Sequence, residues 1–151
     1  MYQYPDIQWG VTSADPLGYL IKRTQQALRH AMDKALSEID LTTPQYAALS
    51  ELAKEQGLSN AELSRRCFVT PQTMHQIVRG LESRDLIRRL QHPEHGRIQQ
   101  VHVTAEGKRL LSAAHEIVSS IEEVMTRALS DEEVERVGGG LAKCCEALEH
   151  E

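Results

Sequence analysis

Two closely spaced helix starts constrain the fold of this chain more than any other feature. The stretch from Ser59 to Glu62 has the Ser-x-x-Glu pattern of a capping box, which satisfies the free N–H groups of a first helical turn. Thr70 is a second N-cap residue, and the proline after it suits the start of a helix. The first helix extends to about Cys67, so only residues 68–70 connect the two. This arrangement is typical of a helix-turn-helix.

The apolar periodicity changes after the second helix. Leu86–Leu90 and Ile98–Thr104 are short β-type runs, and the Pro and Gly between them are typical of a hairpin loop. In the second run Val101 and Val103 alternate with polar residues, as expected of a strand with one buried face. The sequence therefore predicts a winged helix-turn-helix over residues 59–104, with the hairpin as its wing.

Helical periodicity also precedes this unit. Asp15 is interpreted as the N-cap of a long amphipathic helix that has a proline at its first position and extends to about Ile39. Thr43 is interpreted as the cap of a shorter helix, which extends to Glu55. The long helix exceeds what a small domain needs, so we expect part of its apolar stripe to pack on another chain. Three aromatic residues in the N-terminal tail are expected to dock on a partner surface, with a poorly ordered chain end as the alternative: Tyr2, Tyr4 and Trp9.

Two more helices are predicted after the hairpin. Thr104 is a plausible N-cap for a long helix whose apolar positions reach Leu129, and a capping box at Ser130 starts the last helix. The last helix has a heptad-like apolar stripe that contains a glycine triplet, Gly138–Gly140. The triplet indicates a close helix approach, a kink or a fraying end.

These predictions together give a mainly α fold with a small β-hairpin wing, in a single domain over residues 1–151. A winged helix-turn-helix lobe (43–107) lies between long N- and C-terminal dimerisation helices (1–39 and 108–151). No apolar run is long enough to cross a membrane, and the N-terminus lacks the basic and apolar segments of a signal peptide. We therefore expect a cytoplasmic protein, associated with the nucleoid if it binds DNA.

The charge distribution favours a nucleic-acid partner. The chain has a net charge of -5, yet residues 60–109 contain nine Lys/Arg residues against five Asp/Glu residues. A basic segment between acidic flanks is expected where only that segment meets phosphates, although a solvated charged surface explains the charge alone equally well.

The polar face of the second helix offers side chains that can bind base edges in the major groove. The helix start at Thr70 can offer N–H groups to a phosphate, and Arg97, beside a glycine in the hairpin loop, can enter a narrow minor groove. The predicted residues that bind double-stranded DNA are Thr70, Gln72, Thr73, His75, Gln76, Arg79 and Arg97.

Two other classes of protein are alternatives to a DNA-binding regulator. A metal site could be formed by side chains of the hairpin, namely His92, Glu94, His95 and His102. The first three of these residues lie in the loop, and no fixed fourth ligand is visible, so no metal, no other cofactor and no enzyme activity is predicted. The second alternative is a helical adaptor dimer that does not bind DNA.

Four segments in the same order resemble the MarR family of bacterial transcriptional regulators, and the resemblance extends from about Leu17 to Leu148. The first segment is similar to the family's Leu-Thr-x-x-Gln-x-x-x-Leu pattern, the next two to its helix-turn-helix, and the last to its Val-x-Leu-Thr-x-x-Gly wing exit: 41–49, 58–64, 69–74 and 101–107. The resemblance implies a homodimeric repressor that a small aromatic effector or a thiol oxidant releases from palindromic promoter DNA. His95 stands where the family's wing commonly has an acid, and no cysteine lies near the start of the first helix.

Candidate sensing residues follow from the expected position of an effector pocket, between the first helix and the lobe. They are Tyr19, Arg23, His30 and Tyr46. An alternative is a thiol-redox regulator that uses Cys144 and Cys145, whereas Cys67 is expected to be a buried core thiol.

Overall fold

The computed structural model describes residues 10–150. The aromatic tail residues Tyr2, Tyr4 and Trp9 lie outside the described residues, so their predicted docking stays a prediction. The elements, in chain order, are α1 (Leu17–Leu36), a 3-10 turn (Ser37–Ile39), α2 (Thr43–Lys54), α3 (Asn60–Arg66), α4 (Pro71–Ser83), β1 (Ile87–Gln91), β2 (Gln99–Val103), α5 (Ala105–Thr126) and α6 (Asp131–Glu149). The mainly α fold with a small hairpin is confirmed.

Most helix starts are where the capping signals predict them, and two are displaced by one residue. Pro16, not Asp15, is the N-cap of α1, because the Asp15 carboxylate accepts a hydrogen bond from the Thr12 backbone N–H instead. Thr42, not Thr43, caps α2, since the capping box needs its acceptor three residues before Gln45. The long helix α5 ends at Thr126, so Leu129 lies in the connection to α6.

The hairpin is an antiparallel pair with a regular register, in which Ile87 pairs with Val103 and Arg89 pairs with Val101. Val101 and Val103 are buried, whereas Gln100 and His102, which alternate with them, are not, and this confirms the predicted alternation. An isolated bridge from Leu58 to Val101 attaches β2 to the segment between α2 and α3. The wing is therefore anchored to the lobe along β2.

One apolar core serves the lobe, and α1 and α5 contribute only a few residues to it. Helices α2, α3 and α4, both strands and the segments that connect them supply the rest, and the largest fully buried side chains are Leu36, Leu41, Leu49, Leu52, Leu63, Met74, Leu81, Ile87, Val78 and Val101. Burial of this apolar surface is the main force that fixes α4 and the hairpin relative to each other.

Gly107 shows how closely α5 is packed on the base of the wing. A Cβ atom at this position would lie 2.1 Å from the Leu86 carbonyl oxygen and 2.7 Å from Val103 Cγ1. Only glycine fits there, and this contact gives a physical reason for the glycine that ends the wing-exit motif.

The terminal helices are packed differently. Helix α6 contains no buried residue, and its apolar stripe of Val134, Val137 and Leu141 is exposed within one chain. The helix continues through Gly138–Gly140 to Glu149, so the triplet is not a fraying end, and a Cβ atom added at any of the three would meet nothing within 4 Å. Among residues 10–150, no helix is long and apolar enough to span a membrane.

Candidate nucleic-acid interface

The two helices of the helix-turn-helix are joined by polar contacts at their first turns. The Ser59 side chain and Glu62 form the predicted capping box at the start of α3. Asn60, the next residue, donates from Nδ2 to the Pro71 carbonyl at the start of α4, over 3.0 Å. The angle between α3 and α4 is thus fixed by a direct bond as well as by the core.

The turn between these helices places one apolar side chain in solvent. Phe68 adopts a left-handed backbone conformation with φ of 54°, and it is 94% exposed. The chain reverses there because the backbone N–H of Val69 donates to the Ser64 carbonyl. Ser64 is buried and donates from its hydroxyl to the Ala61 carbonyl, which satisfies its polar group inside the lobe.

Helix α4 presents the polar face that the sequence predicts. Met74, Val78 and Leu81 are buried in the core, Ile77 is half-buried against it, and the polar residues between them are turned away from it. The predicted base-reading residues are all exposed: Gln72, Thr73, His75, Gln76 and Arg79. Thr70 caps the helix by accepting from the Thr73 backbone N–H at 3.1 Å, so its side chain is committed to the helix start.

Ion pairing divides the basic residues of the lobe into two groups. Three are held by carboxylates: Arg66 by Glu55, Arg89 by Glu82 and Arg109 by Glu106. Of the nine Lys/Arg residues in 60–109, the other six make no ion pair with a carboxylate among residues 10–150, although one of them, Arg84, donates to the Asp40 carbonyl; the six are Arg65, Arg79, Arg84, Arg88, Arg97 and Lys108. The positive charge available to phosphates is therefore smaller than the residue count indicates, and it comes from this second group.

Arg97 lies at the tip of the wing, and the loop around it is ordered by backbone bonds. The backbone N–H of His92 donates to the Ile98 carbonyl over 2.8 Å, which closes the loop. The Nδ1 atom of His92 accepts from the backbone N–H groups of Glu94 and His95. These bonds hold the loop without the acid that is common in the family, since His95 occupies that position.

Of the hairpin histidines, His92 has this structural role in the loop, and its ring lies 5.0 Å from that of His95. Among the residues that the structure describes, no three His, Cys, Asp or Glu side chains converge in a way that could hold a metal ion. A cavity of about 450 Å³ separates the start of α3 from the wing, and its lining is mainly polar, including Glu55, Glu62 and His92.

The candidate effector residues divide into separate groups. Arg23 lies over the Tyr19 ring, 5.9 Å from its centre, and donates to the Tyr19 hydroxyl on the surface of α1. Tyr46 on α2 contacts His115 on α5, with 3.0 Å between the hydroxyl and Nδ1 and the rings edge to face. His30 is exposed. His115 is a residue that sequence reasoning missed, because nothing in the sequence marks a contact between residues so far apart.

The cysteines are all free thiols. Cys67 is half-buried rather than fully buried, packs against the core, and has its pKa raised chiefly by burial. Cys144 is half-buried on α6 and Cys145 is exposed. A redox role for this pair stays a prediction.

Comparisons with known proteins agree on one family. The model of the MarR family matches residues 39–98. The HTH-type transcriptional repressor Rv2887 of Mycobacterium tuberculosis is 38% identical over 109 residues, which cover 72% of this chain and 78% of that protein. The transcriptional regulator HosA of Escherichia coli is 36% identical over 96 residues, with 64% and 71% covered.

Solved structures extend the similarity to the whole fold. Rv2887 in complex with p-aminosalicylic acid matches with a TM-score of 0.72 and 32% identity, over 86% of this chain and 98% of that one. The PcaV regulator of Streptomyces coelicolor, in complex with its natural ligand, matches with a TM-score of 0.77 and 27% identity, over 92% and 98%. A variant of E. coli MarR complexed with operator DNA matches with a TM-score of 0.78 and 25% identity, over 85% and 93%.

Proposed function

This chain belongs to the MarR family of transcriptional regulators, and from that premise we propose that it is a ligand-responsive repressor that binds palindromic promoter DNA as a homodimer. The observation that carries the proposal is the position of α4. Its apolar face is anchored in the core while the polar face, with the proposed base-reading side chains, is exposed, and Arg79 on this face makes no ion pair among residues 10–150. The proposed DNA-binding residues are those predicted from the sequence, Thr70, Gln72, Thr73, His75, Gln76, Arg79 and Arg97.

Each of these residues has a role that its chemistry supports. Gln76 can pair with adenine and Arg79 with guanine, each through two hydrogen bonds in the major groove. Arg97 at the wing tip is proposed to enter the flanking minor groove, where the negative potential is strongest when the groove is narrow. Thr70 fixes the start of α4 as its N-cap and directs the first N–H groups of the helix towards a phosphate.

The proposal of a homodimer is supported by the terminal helices. Helix α6 exposes an apolar stripe, and α1 and the end of α5 expose Leu17, Ile21 and Val124. An apolar cleft of about 220 Å³ lies between α1 and α5 and is lined by residues such as Leu28 and Met125. A second copy would cover these surfaces, and two lobes related by a two-fold axis would read half-sites spaced about 10 bp apart.

A small aromatic effector is the proposed ligand class. Two of the matched structures hold such ligands or a natural ligand, namely Rv2887 with p-aminosalicylic acid and PcaV. In this chain the Tyr46–His115 contact joins the lobe to α5, so a ligand bound near it could change the position of the lobe. The proposed effector residues are Tyr19, Arg23, His30 and Tyr46, and a regulator of this kind would act at the nucleoid.

Binding to the DNA upstream of the chain's own gene, measured across a series of salt concentrations, tests the proposal. We expect an affinity that falls steeply with salt, because condensed counterions are released from the DNA. Replacing Gln76 or Arg79 by Ala should cost about 1–3 kcal/mol and relax specificity at one base pair. Arg136→Ala, which removes an exposed arginine from α6, is the matched control and should leave affinity unchanged. Absence of binding at low salt would contradict the proposal.

The effector is tested separately. Salicylate, added to the preformed protein–DNA complex, should release the DNA, and Tyr46→Ala should shift the release to higher salicylate concentration while affinity for DNA alone is retained. Release by salicylate that is identical in wild type and variant would remove Tyr46 from the site. A wild-type complex that salicylate leaves intact would contradict this ligand class.

A further inference from the structure

Strand β1 of the wing is attached to helix α4 by one polar side-chain contact, the ion pair of Arg89 with Glu82. Arg89 on β1 donates from Nε to Glu82 Oε1 over 3.1 Å, and its second nitrogen, Nη2, bonds the other carboxylate oxygen. Both side chains are half-buried. Two parallel bonds between a guanidinium and a carboxylate fix orientation as well as distance.

No other side-chain hydrogen bond joins α4 to the hairpin within the described part of the chain. Strand β2 is held on its own side, because Gly57 donates to the Val101 carbonyl, Val101 donates to the Leu58 carbonyl, and Val103 donates to the Gln56 side chain. Among the described residues, strand β1 has β2 as its only neighbour in the sheet. A two-stranded hairpin is marginally stable without further support, and β1 receives that support from Ile87, which is buried in the core, and from the Arg89–Glu82 pair.

The strand register connects the Arg89–Glu82 pair to the contacts that hold β2. Arg89 is paired with Val101, the residue that also bridges to Leu58. A connected path therefore extends from the start of α3, across both strands, to Glu82 in the last turn of α4. The wing tip lies beyond this path, so its direction relative to α4 depends on it.

We propose that Glu82 and Arg89 are positioning residues for DNA binding, which orient the wing so that Arg97 and the reading face of α4 meet the same DNA segment. In this proposal Arg89 contributes to DNA affinity through the wing and does not contact a phosphate. Glu82, the only acid of α4, favours DNA binding despite its negative charge. The inference rests on the proposed function as a DNA-binding regulator.

Glu82 and Arg89 neutralise each other's charge, which is consistent with a positioning role. The hydrogen bonds from Arg89 hold the pKa of Glu82 below its usual value, and Glu82 in turn raises the pKa of Arg89. Both groups remain charged at the pH of a cell, so the contact is permanent and does not act as a pH switch.

The direction in which one substitution changes the affinity for DNA distinguishes this proposal from a simple effect of charge. Glu82→Gln removes a negative charge from the DNA-facing lobe, and charge alone would strengthen binding to DNA. A positioning role requires weaker binding, by about tenfold, because the wing contact is lost. Glu94→Gln is the matched control: Glu94 is exposed in the wing loop and forms none of the ion pairs found among residues 10–150, so its loss should leave affinity unchanged or slightly increased.

The upstream promoter duplex is the probe, and wild type, Glu82→Gln and Glu94→Gln are compared by fluorescence anisotropy and hydroxyl-radical footprinting. The expected result is weaker binding of Glu82→Gln with loss of protection only in the flanking minor groove. Equal or tighter binding of Glu82→Gln would overturn the inference. Should Glu82→Gln fail to fold, Glu82→Asp keeps the charge and shortens the reach, and undiminished affinity of that variant would overturn it as well.

A double-mutant cycle gives a second, independent readout. If Arg89 acts through the wing, Arg89→Gln adds no further loss once Arg97→Ala has removed the wing contact. Additive losses would identify Arg89 as a separate phosphate contact and overturn the proposal. If the wild type does not bind the duplex, the proposed function fails; if the wild type binds and Glu82→Gln binds equally, only this inference fails.

Discussion

The lobe and the terminal helices of this chain differ in how much of their apolar surface is buried within one copy. In the lobe, α4 buries its apolar face, the wing is anchored along both strands, and the caps of α2, α3 and α4 are satisfied. Helix α6 has an equally well-formed cap, yet its apolar stripe is exposed along its length. The lobe therefore buries its apolar surface within one chain, whereas the apolar surface of the terminal helices is the part that the proposed dimer would cover.

The largest expected effect concerns the closest packing in the lobe. Gly107→Ala would place a Cβ atom 2.1 Å from the Leu86 carbonyl oxygen, with no flexible side-chain end that could move aside. We expect a loss of at least about 3 kcal/mol in the free energy of unfolding, from overpacking and backbone displacement. Urea denaturation followed by circular dichroism measures it. A loss below about 1 kcal/mol would show that the junction between α5 and the wing is not rigid.

The second prediction tests the terminal helices. Leu141→Glu places a charge in the middle of the apolar stripe of α6, which is exposed in one chain but buried in the proposed dimer. We expect the dimer to weaken by about 2 kcal/mol, or roughly thirtyfold in Kd, while the lobe stays folded. Analytical ultracentrifugation gives the Kd. Ala142→Glu adds the same charge beside the stripe and should have little effect, so an equal loss in both variants would contradict the proposed interface.

The sequence predicts the fold of the lobe well because its signals are local. The capping box at Ser59, the cap at Thr70 and the alternation at Val101 and Val103 each act over a few residues, and the structure confirms all of them. The two displaced caps have different local causes: the Asp15 carboxylate accepts from the Thr12 backbone N–H, whereas Thr42 forms the capping box with Gln45 in place of Thr43. A signal of this kind defines a helix start to within about one or two residues.

The candidate site is less predictable because its decisive contacts join distant parts of the chain. Arg89 and Arg97 are equivalent in a count of basic residues, yet Glu82 holds the first and the second makes no ion pair within residues 10–150. Likewise, the contact of Tyr46 with His115 depends on how α5 packs against α2. Such pairings follow from tertiary packing, which periodicity and capping motifs do not encode.

The third prediction uses the glycine triplet to separate the two faces of α6. Gly138 follows Val134 by four residues and precedes Leu141 by three, so it belongs to the apolar stripe, whereas Gly139 lies one turn from Arg136 and Lys143 on the charged face. Gly139→Ala should stabilise the dimer by about 0.5–1 kcal/mol through helix propensity. Gly138→Ala should stabilise the dimer less than Gly139→Ala, or should weaken it, if a partner helix approaches at Gly138. Equal gains in thermal unfolding would exclude a close approach at Gly138.

The smallest expected effect compares an ion pair of the lobe with one of α6. The folded pKa of Glu82 is lowered, so the pair with Arg89 contributes stability above the usual pKa of 4.5 and loses it as the pH falls through the folded value. The contribution should stay below about 1 kcal/mol, because both side chains are partly solvated. Urea denaturation at about pH 6 and about pH 3.5 should therefore show a smaller acid-induced loss in Glu82→Gln than in the wild type. Glu132→Gln, which removes the exposed partner of Arg136 at 3.9 Å, is the control and should follow the wild type. If Glu82→Gln loses as much stability in acid as the wild type, the wing is held by its apolar core and by β2 alone.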